Sequence, residues 1–188
     1  MEQSYKKIFW GFLITIFDIN LGPVNILPDF LGFLIISSGL MELITAFENI
    51  NFKTAKRTAN FLAFYSIAVF VLFSMFLNFD YKYKLIAETG SAVLTGILNI
   101  IMAFHILAGT IDYYLSKDKQ GIANDVYRSQ KKYTLLQIFC LLAASASINI
   151  SNEALTIASI IFMLAVQIYF AAIISSISKL FNEDIIES

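Results

Sequence analysis

Six apolar blocks, each near the length of a membrane span, dominate this 188-residue chain. They run over Ile8–Gly22, Pro28–Phe47, Thr58–Phe79, Gly90–Ile111, Lys132–Ile150 and Ala154–Ile177. A bilayer core of about 30 Å takes about 20 apolar residues of helix. The second, fourth and sixth blocks reach that length with ease, the third and fifth are adequate, and the first is short. The blocks are continuous rather than alternating, which points to helices and away from a strand barrel. Hydrophobic residues make up 58% of the chain and its mean hydropathy is +0.72. A soluble fold of this size could not bury so much apolar surface in one core, whereas a bilayer accepts it. The expected fold class is all-α: an integral membrane bundle of about six transmembrane helices, forming a single domain over residues 1–188.

The charges sort with the blocks. With six spans, one side receives Lys6, Lys7, Lys53, Lys56, Arg57, Lys117, Lys119, Arg128, Lys131, Lys132 and Lys179, and the other receives only Lys82 and Lys84. The positive-inside rule then places both termini in the cytoplasm of a cell-membrane protein. Treating the first block as peripheral would destroy this sorting. Tyr5, Trp10, Tyr113, Tyr114 and Tyr133 near the basic ends fit an interfacial aromatic belt. Lys6 and Lys7 followed by Ile8–Phe17 mimic a signal peptide, but Asp18-Ile19-Asn20 follows where a small-residue cleavage site belongs, so a retained first helix is expected.

Composition narrows the function classes. The 13 Lys+Arg residues face 14 Asp+Glu with no long basic run, so no nucleic-acid surface is expected. The single cysteine, Cys140, lies in an apolar block and builds no disulfide framework. The one histidine excludes a two-histidine metalloprotease motif. No Gly-x-Ser-x-Gly elbow or phosphate-binding glycine loop is present. Ser91 and His105 lie on one helix, roughly 21 Å apart, too far to form a dyad. These points lean away from an enzyme, and no cofactor is expected. The expected partners are the lipid bilayer, with a second membrane protein or a second copy of the chain as candidates. A small-molecule or ion ligand is left unidentified.

The least generic stretch is Asp18 to Phe33, which holds both prolines of the chain. Gly22 before Pro23 is expected to end the first helix, because a residue before proline disfavours helical dihedrals. Pro28 suits the first turn of the second helix, and Asp29 then interacts favourably with that helix's dipole. Asp18, Asn20, Asn25 and Asp29 are thus expected around one extracytoplasmic turn. One reading is a rigid hairpin with capping side chains. The other is a ligand or ion site at a broken-helix mouth, whose oxygen donors suit a hard cation better than zinc. Two carboxylates alone do not define a metal site.

Asp18, Ile19, Leu27, Pro28, Asp29, Phe30, Leu31, Gly32, Phe33, Leu34, Ile35, Gly39 and Leu40 form a pattern that resembles a group of small, uncharacterised multi-pass membrane proteins of Gram-positive bacteria. The likeness covers the first quarter of the chain. It implies the membrane class, with this hairpin as a signature, and no particular activity. Size and span count are also similar to the substrate-binding membrane subunits of vitamin-uptake transporters, although the first span lacks the Ala-x-x-x-Ala pattern those subunits use for docking.

Deeper in the blocks lie polar residues that are costly in a bilayer. Glu42, Tyr65, His105 and Gln137 fall roughly 8–11 Å inside the cytoplasmic boundary at about 1.5 Å per residue, with Asn99 and Gln167 nearer the midplane. Intramembrane polar residues of this kind are candidate functional groups. If Glu42 and His105 face each other, they form an acid–imidazole pair able to relay protons or bind a polar substrate. Otherwise Glu42 reaches to the interface, His105 bonds a neighbouring helix, and the amides join the bundle. Small residues four apart (Ala92/Gly96, Ala143/Ser147, Ala171/Ser175, Ala172/Ser176) are expected at helix contacts. Gly121 is expected to break the segment between the fourth and fifth spans. The leading functional expectation is a protein that binds or translocates a small solute or ion. The alternative is an accessory, immunity or sensor subunit acting through helix contacts, and an intramembrane enzyme ranks third.

Overall fold

The computed structural model describes the backbone of residues 1–16, 20–21, 24–25, 29–75, 81–150 and 153–186, and the side chains of 1–16, 29–72, 90–146, 154–155 and 157–181. It holds six helices: α1 (Glu2–Ile16), α2 (Asp29–Ala46), α3 (Ile50–Met75), α4 (Tyr81–Ser116), α5 (Gln120–Ile150) and α6 (Glu153–Ile186). Between α1 and α2, β1 (Asn20–Leu21) and β2 (Val24–Asn25) pair antiparallel, Asn20 opposite Asn25 and Leu21 opposite Val24. The first helix therefore does not continue to Gly22 as expected. Asn and Gly are poor helix formers, and the residue before Pro23 is pushed toward extended backbone. Among the described residues, three segments are long and apolar enough to cross a membrane: Asp29–Ala46, Gly90–Ser116 and Ile157–Phe181. They are the second, fourth and sixth blocks of the sequence.

Each helix packs on its neighbours in sequence, and α6 returns to α1, so the six helices close into a ring. Successive helices run antiparallel. Ser37 of α2 bonds Asn60 of α3 at 2.6 Å, Phe52 of α3 lies on Gly109 of α4, Leu141 of α5 lies on Gly96 of α4, and Phe12 of α1 meets Phe170 of α6. Helices α1 and α2 approach each other backbone to backbone. A Cβ on Gly11 would stand 2.7 Å from the Gly32 carbonyl oxygen, and one on Gly39 would stand 2.6 Å from the Ser4 carbonyl oxygen. Ser4/Gly11 and Gly32/Gly39 are each seven residues, or two turns, apart. Small residues at that spacing let two backbones approach. Of the small-residue pairs expected at contacts, Gly96 meets Leu141 and Ala171 is buried, but Ala92, Ala172 and Ser176 are exposed.

One end of the ring carries the basic residues and is closed by side chains. The Phe181 ring of α6 stacks between Tyr5 of α1 and Tyr114 of α4, with both centroid distances 5.2 Å. The Thr110 hydroxyl donates to the Ile106 carbonyl at 2.8 Å, so the Tyr5 hydroxyl donates to Thr110, at 2.6 Å. At the same end Asn49 caps α3, its Oδ1 accepting from the Asn51 backbone N–H at 2.7 Å. Glu48 there pairs with Lys53, whose ammonium holds the carboxyl below the usual range.

The α4–α5 break falls at Lys117–Lys119, upstream of the expected Gly121, which lies in α5. Asp118 sits in the left-handed region with φ 56°. The Lys119 N–H bonds the Tyr114 carbonyl at 2.9 Å and the Asp118 N–H bonds the Leu115 carbonyl at 3.1 Å. This pair is a Schellman termination with Asp at the position glycine usually takes.

The outer surface is apolar along the helices. Phe61, Phe64 and Phe70 of α3, Leu135, Phe139 and Leu142 of α5, and Ile157, Ile160 and Ile161 of α6 are all exposed, Phe64 by 75%. A patch this large on a soluble chain would be an aggregation surface, but it is what a lipid-facing exterior requires.

Candidate functional site: a polar cavity inside the ring

Five of the six helices line a cavity of about 130 Å³. Each contributes two residues one turn apart: Phe12 and Thr15 from α1, Asp29 and Phe33 from α2, Thr95 and Asn99 from α4, Tyr133 and Gln137 from α5, Gln167 and Phe170 from α6. Residues three or four apart share a helix face, so five faces converge on one volume. The close Gly11–Gly32 approach sets two of those faces, because Thr15 and Phe33 flank it on α1 and α2.

The walls divide by chemistry. Phe170 stands at the centre of the aromatic side, 4.6 Å from the Phe12 ring and 4.5 Å from the Tyr133 ring. Among the described residues, the polar side holds three amides, three hydroxyls and the Asp29 carboxylate. Asp29 occupies the first turn of α2, where the helix dipole favours a negative charge. The Thr15 hydroxyl donates to the Phe12 carbonyl at 2.9 Å, so it presents acceptor lone pairs outward. Gln137 is only 2% exposed, yet its Oε1 has no hydrogen-bond partner among the described residues, and neither has Asn99 Oδ1. A buried acceptor left in this state costs about 1–3 kcal/mol. Both side chains line the cavity, where a donor inside it can reach them.

The structure brings Asn99, Gln137 and Gln167 together, as a polar layer requires, and adds Asp29 to them. Asp29 was expected with Asp18, Asn20 and Asn25 at an outer turn. Asp18 lies outside the described residues, as do the side chains of Asn20 and Asn25. Among the described residues no group of three or more metal-binding side chains is present.

Glu42 and His105 do not form a pair. Glu42 receives Ser4 Oγ at 3.1 Å and Lys7 Nζ, and its side chain is 41% exposed. His105 Nδ1 lies 2.8 Å from Asn51 Oδ1. Asn51 Nδ2 bonds Asp112 at 2.8 Å, which fixes the amide, so its Oδ1 accepts and His105 Nδ1 carries the proton. Asn49 Nδ2 also donates to Asp112, at 2.9 Å. This network ties the α2–α3 connection to α4 and leaves His105 away from the cavity. Tyr65 stacks on Phe61 of its own helix at 6.2 Å and also lies away from the cavity.

Sequence reading missed Thr15, Thr95, Tyr133 and the three phenylalanines. Thr95/Asn99 and Tyr133/Gln137 carried a usable signal, a polar pair four residues apart in an apolar span. No family model matches the chain, and neither the curated proteins nor the solved structures contain a match to it.

Proposed function

We propose that the chain is a six-span integral protein of a bacterial plasma membrane, with both termini cytoplasmic, that binds a small polar solute or ion in its central cavity as a step in moving it across the membrane. The observation that carries this reading is the inversion of polarity: exposed Phe, Leu and Ile outside, and amides, hydroxyls and one carboxylate around an interior cavity. Polar groups facing the interior of a membrane bundle mark solute or ion sites by default. The exposed aromatic and aliphatic faces of α3 and α5 support spans there as well, beyond the three most apolar helices. The basic end, where Lys6, Lys7, Lys53, Lys117 and Lys119 gather, supports the cytoplasmic placement. The Leu27–Ile35 signature favours kinship with the small multi-pass proteins of Gram-positive bacteria. On this reading the Tyr5–Phe181–Tyr114 stack closes the cytoplasmic side and parts for a solute to pass.

The test is thermal unfolding of the detergent-purified chain against separate panels of amines, neutral amides and polyols, carboxylates and alkali ions, with Gln137→Leu alongside. A ligand of the native state raises the melting temperature by mass action. The expected result is one panel that stabilises the native chain and leaves Gln137→Leu unmoved. No shift from any panel, or equal shifts in both proteins, contradicts solute binding here and favours a subunit that acts through helix contacts.

A further inference from the structure

We infer that an anionic phospholipid binds the outer face of α5 at the basic end of the ring, its phosphate held by Arg128, Lys131 and Lys132 and an acyl chain lying along Leu135, Phe139 and Leu142. This site is separate from the cavity and rests only on the membrane placement proposed above.

The face changes character once along its length. Arg128, Lys131, Lys132, Leu135, Phe139 and Leu142 recur at helical spacing and so share one side of α5, and all six are exposed. Its first turn is cationic, and from Leu135 onward it is apolar. Lys132 and Leu142 stand about 15 Å apart along the helix, about half of a bilayer core of about 30 Å, which is the depth of one leaflet. The outer face of α3 ends in the same way, since Arg57 precedes Phe61 and Phe64 by four and seven residues and all three are exposed. Long basic side chains at such a boundary lay their stems on apolar surface and carry their charge to the headgroups.

These cations lack the carboxylate partners that others at this end have. Lys6 pairs with Glu2, Lys7 with Glu42 and Lys53 with Glu48. Among the described residues Lys131 and Lys132 pair with no carboxylate. Arg128 has Asp125 at 3.8 Å, but both are well exposed, where an ion pair is weak. Lys132 lies over the Tyr169 ring of α6, 5.1 Å from its centroid, a contact that holds the ammonium beside α6 and leaves its charge in place. Three cations against one carboxylate favour an anion, and both Arg and Lys bind phosphate oxygens.

The surroundings favour a lipid over a free anion. Phe139 meets Phe162 at 5.8 Å and Lys132 meets Tyr169, so α6 runs alongside this face. Ala172 and Ser176, three and seven residues past Tyr169 toward the basic end, are small and exposed, which leaves room for a phosphate beside Arg128. A free phosphate would use the cations and leave Leu135, Phe139 and Leu142 bare, whereas a phospholipid uses both. A zwitterionic lipid would bring its own ammonium against three cations.

Native mass spectrometry of the full chain in a non-ionic detergent tests the site, with phosphatidylglycerol, phosphatidylcholine and inorganic phosphate as probes. Two triple variants are compared. One combines Arg128→Gln, Lys131→Gln and Lys132→Gln; the other combines Lys6→Gln, Lys7→Gln and Lys117→Gln, which removes the same charge from exposed positions at the same end. Phosphatidylglycerol is expected to bind about tenfold more tightly than phosphatidylcholine, to lose about tenfold in the first variant and to stay within about twofold in the second. Equal binding of the two lipids, or equal losses in the two variants, overturns the site. Inorganic phosphate bound with the same dependence on the three cations would make the ligand a free anion, and a dimer abolished by the first variant would make it a second copy of the chain; either result overturns the lipid assignment. Carbonate extraction of cell membranes reads the placement separately. Release of the chain contradicts the membrane placement itself, whereas a retained chain with no preference for phosphatidylglycerol contradicts this site alone.

Discussion

Gly11 and Gly32 meet backbone to backbone, so that a Cβ placed on either would lie 2.7 Å from the other's carbonyl oxygen. Neither carbonyl can swing away without breaking its own helix. This contact fixes α1 against α2 and, through Thr15 and Phe33, two faces of the cavity. Gly11→Ala and Gly32→Ala are each expected to destabilise by about 1–3 kcal/mol, the usual cost of overpacking. Gly90→Ala is the control, since a Cβ there meets nothing within 4 Å. It should be neutral or gain up to about 1 kcal/mol from helix propensity. Thermal unfolding of the three variants compares them directly. Equal stability of Gly11→Ala and Gly90→Ala would remove the close approach as a constraint.

Asp112 accepts from both Asn49 and Asn51. Removing it takes away a charged acceptor, unmaking two hydrogen bonds at the start of α3. Asp112→Ala should cost about 1.5–3 kcal/mol. Asp112→Asn, which keeps one acceptor oxygen, should cost less. Hydrogen exchange should rise first in the opening turn of α3, whose cap depends on this network. An unchanged exchange pattern would show that Asn49 caps α3 without help.

Asp118 pays a conformational cost that glycine avoids. In the left-handed region an L side chain costs roughly 1–2 kcal/mol, somewhat less for Asp. Asp118→Gly should therefore raise stability by up to about 1 kcal/mol, and Asp118→Ala should not. A destabilised Asp118→Gly would mean that the carboxylate makes an interaction worth more than the strain.

The basic end is expected on the cytoplasmic side. In a Cys140→Ser background, Asp118→Cys in the α4–α5 turn should react with a membrane-impermeant maleimide in inside-out vesicles and stay unlabelled in intact cells. Labelling from outside intact cells would reverse the orientation.

Much of this arrangement could be read in the sequence. Hydropathy located the three most apolar spans because block length and composition determine it alone. Depth counting groups Gln137 with Glu42, Tyr65 and His105 and sets Asn99 and Gln167 nearer the midplane, whereas Asn99, Gln137 and Gln167 line one cavity. Helix rotation was beyond the same reasoning. It decides that Glu42 turns to Lys7 and His105 to Asn51, neither toward the other. Asp29 stands in the first turn of α2 as expected, and its place on the cavity wall is what the sequence does not give. α1 and α2 are only 15 and 18 residues long, and the antiparallel packing at Gly11–Gly32 sets the first turn of α2 beside Thr15, facing Asn99 and Gln137. The glycine contact had a signal, the seven-residue spacings Ser4/Gly11 and Gly32/Gly39, which a search at four-residue spacing passes over.

Gln137 offers the most direct measurement. A group kept for a ligand rather than for the fold costs stability, and replacing it with an apolar side chain of similar size removes an unpaired buried acceptor. Without ligand, Gln137→Leu is expected to unfold at the same temperature as the native chain or higher, a gain of up to about 1 kcal/mol. A loss of about 2 kcal/mol or more would show that the Gln137 amide holds the helices together, and would contradict a solute-binding cavity built around it.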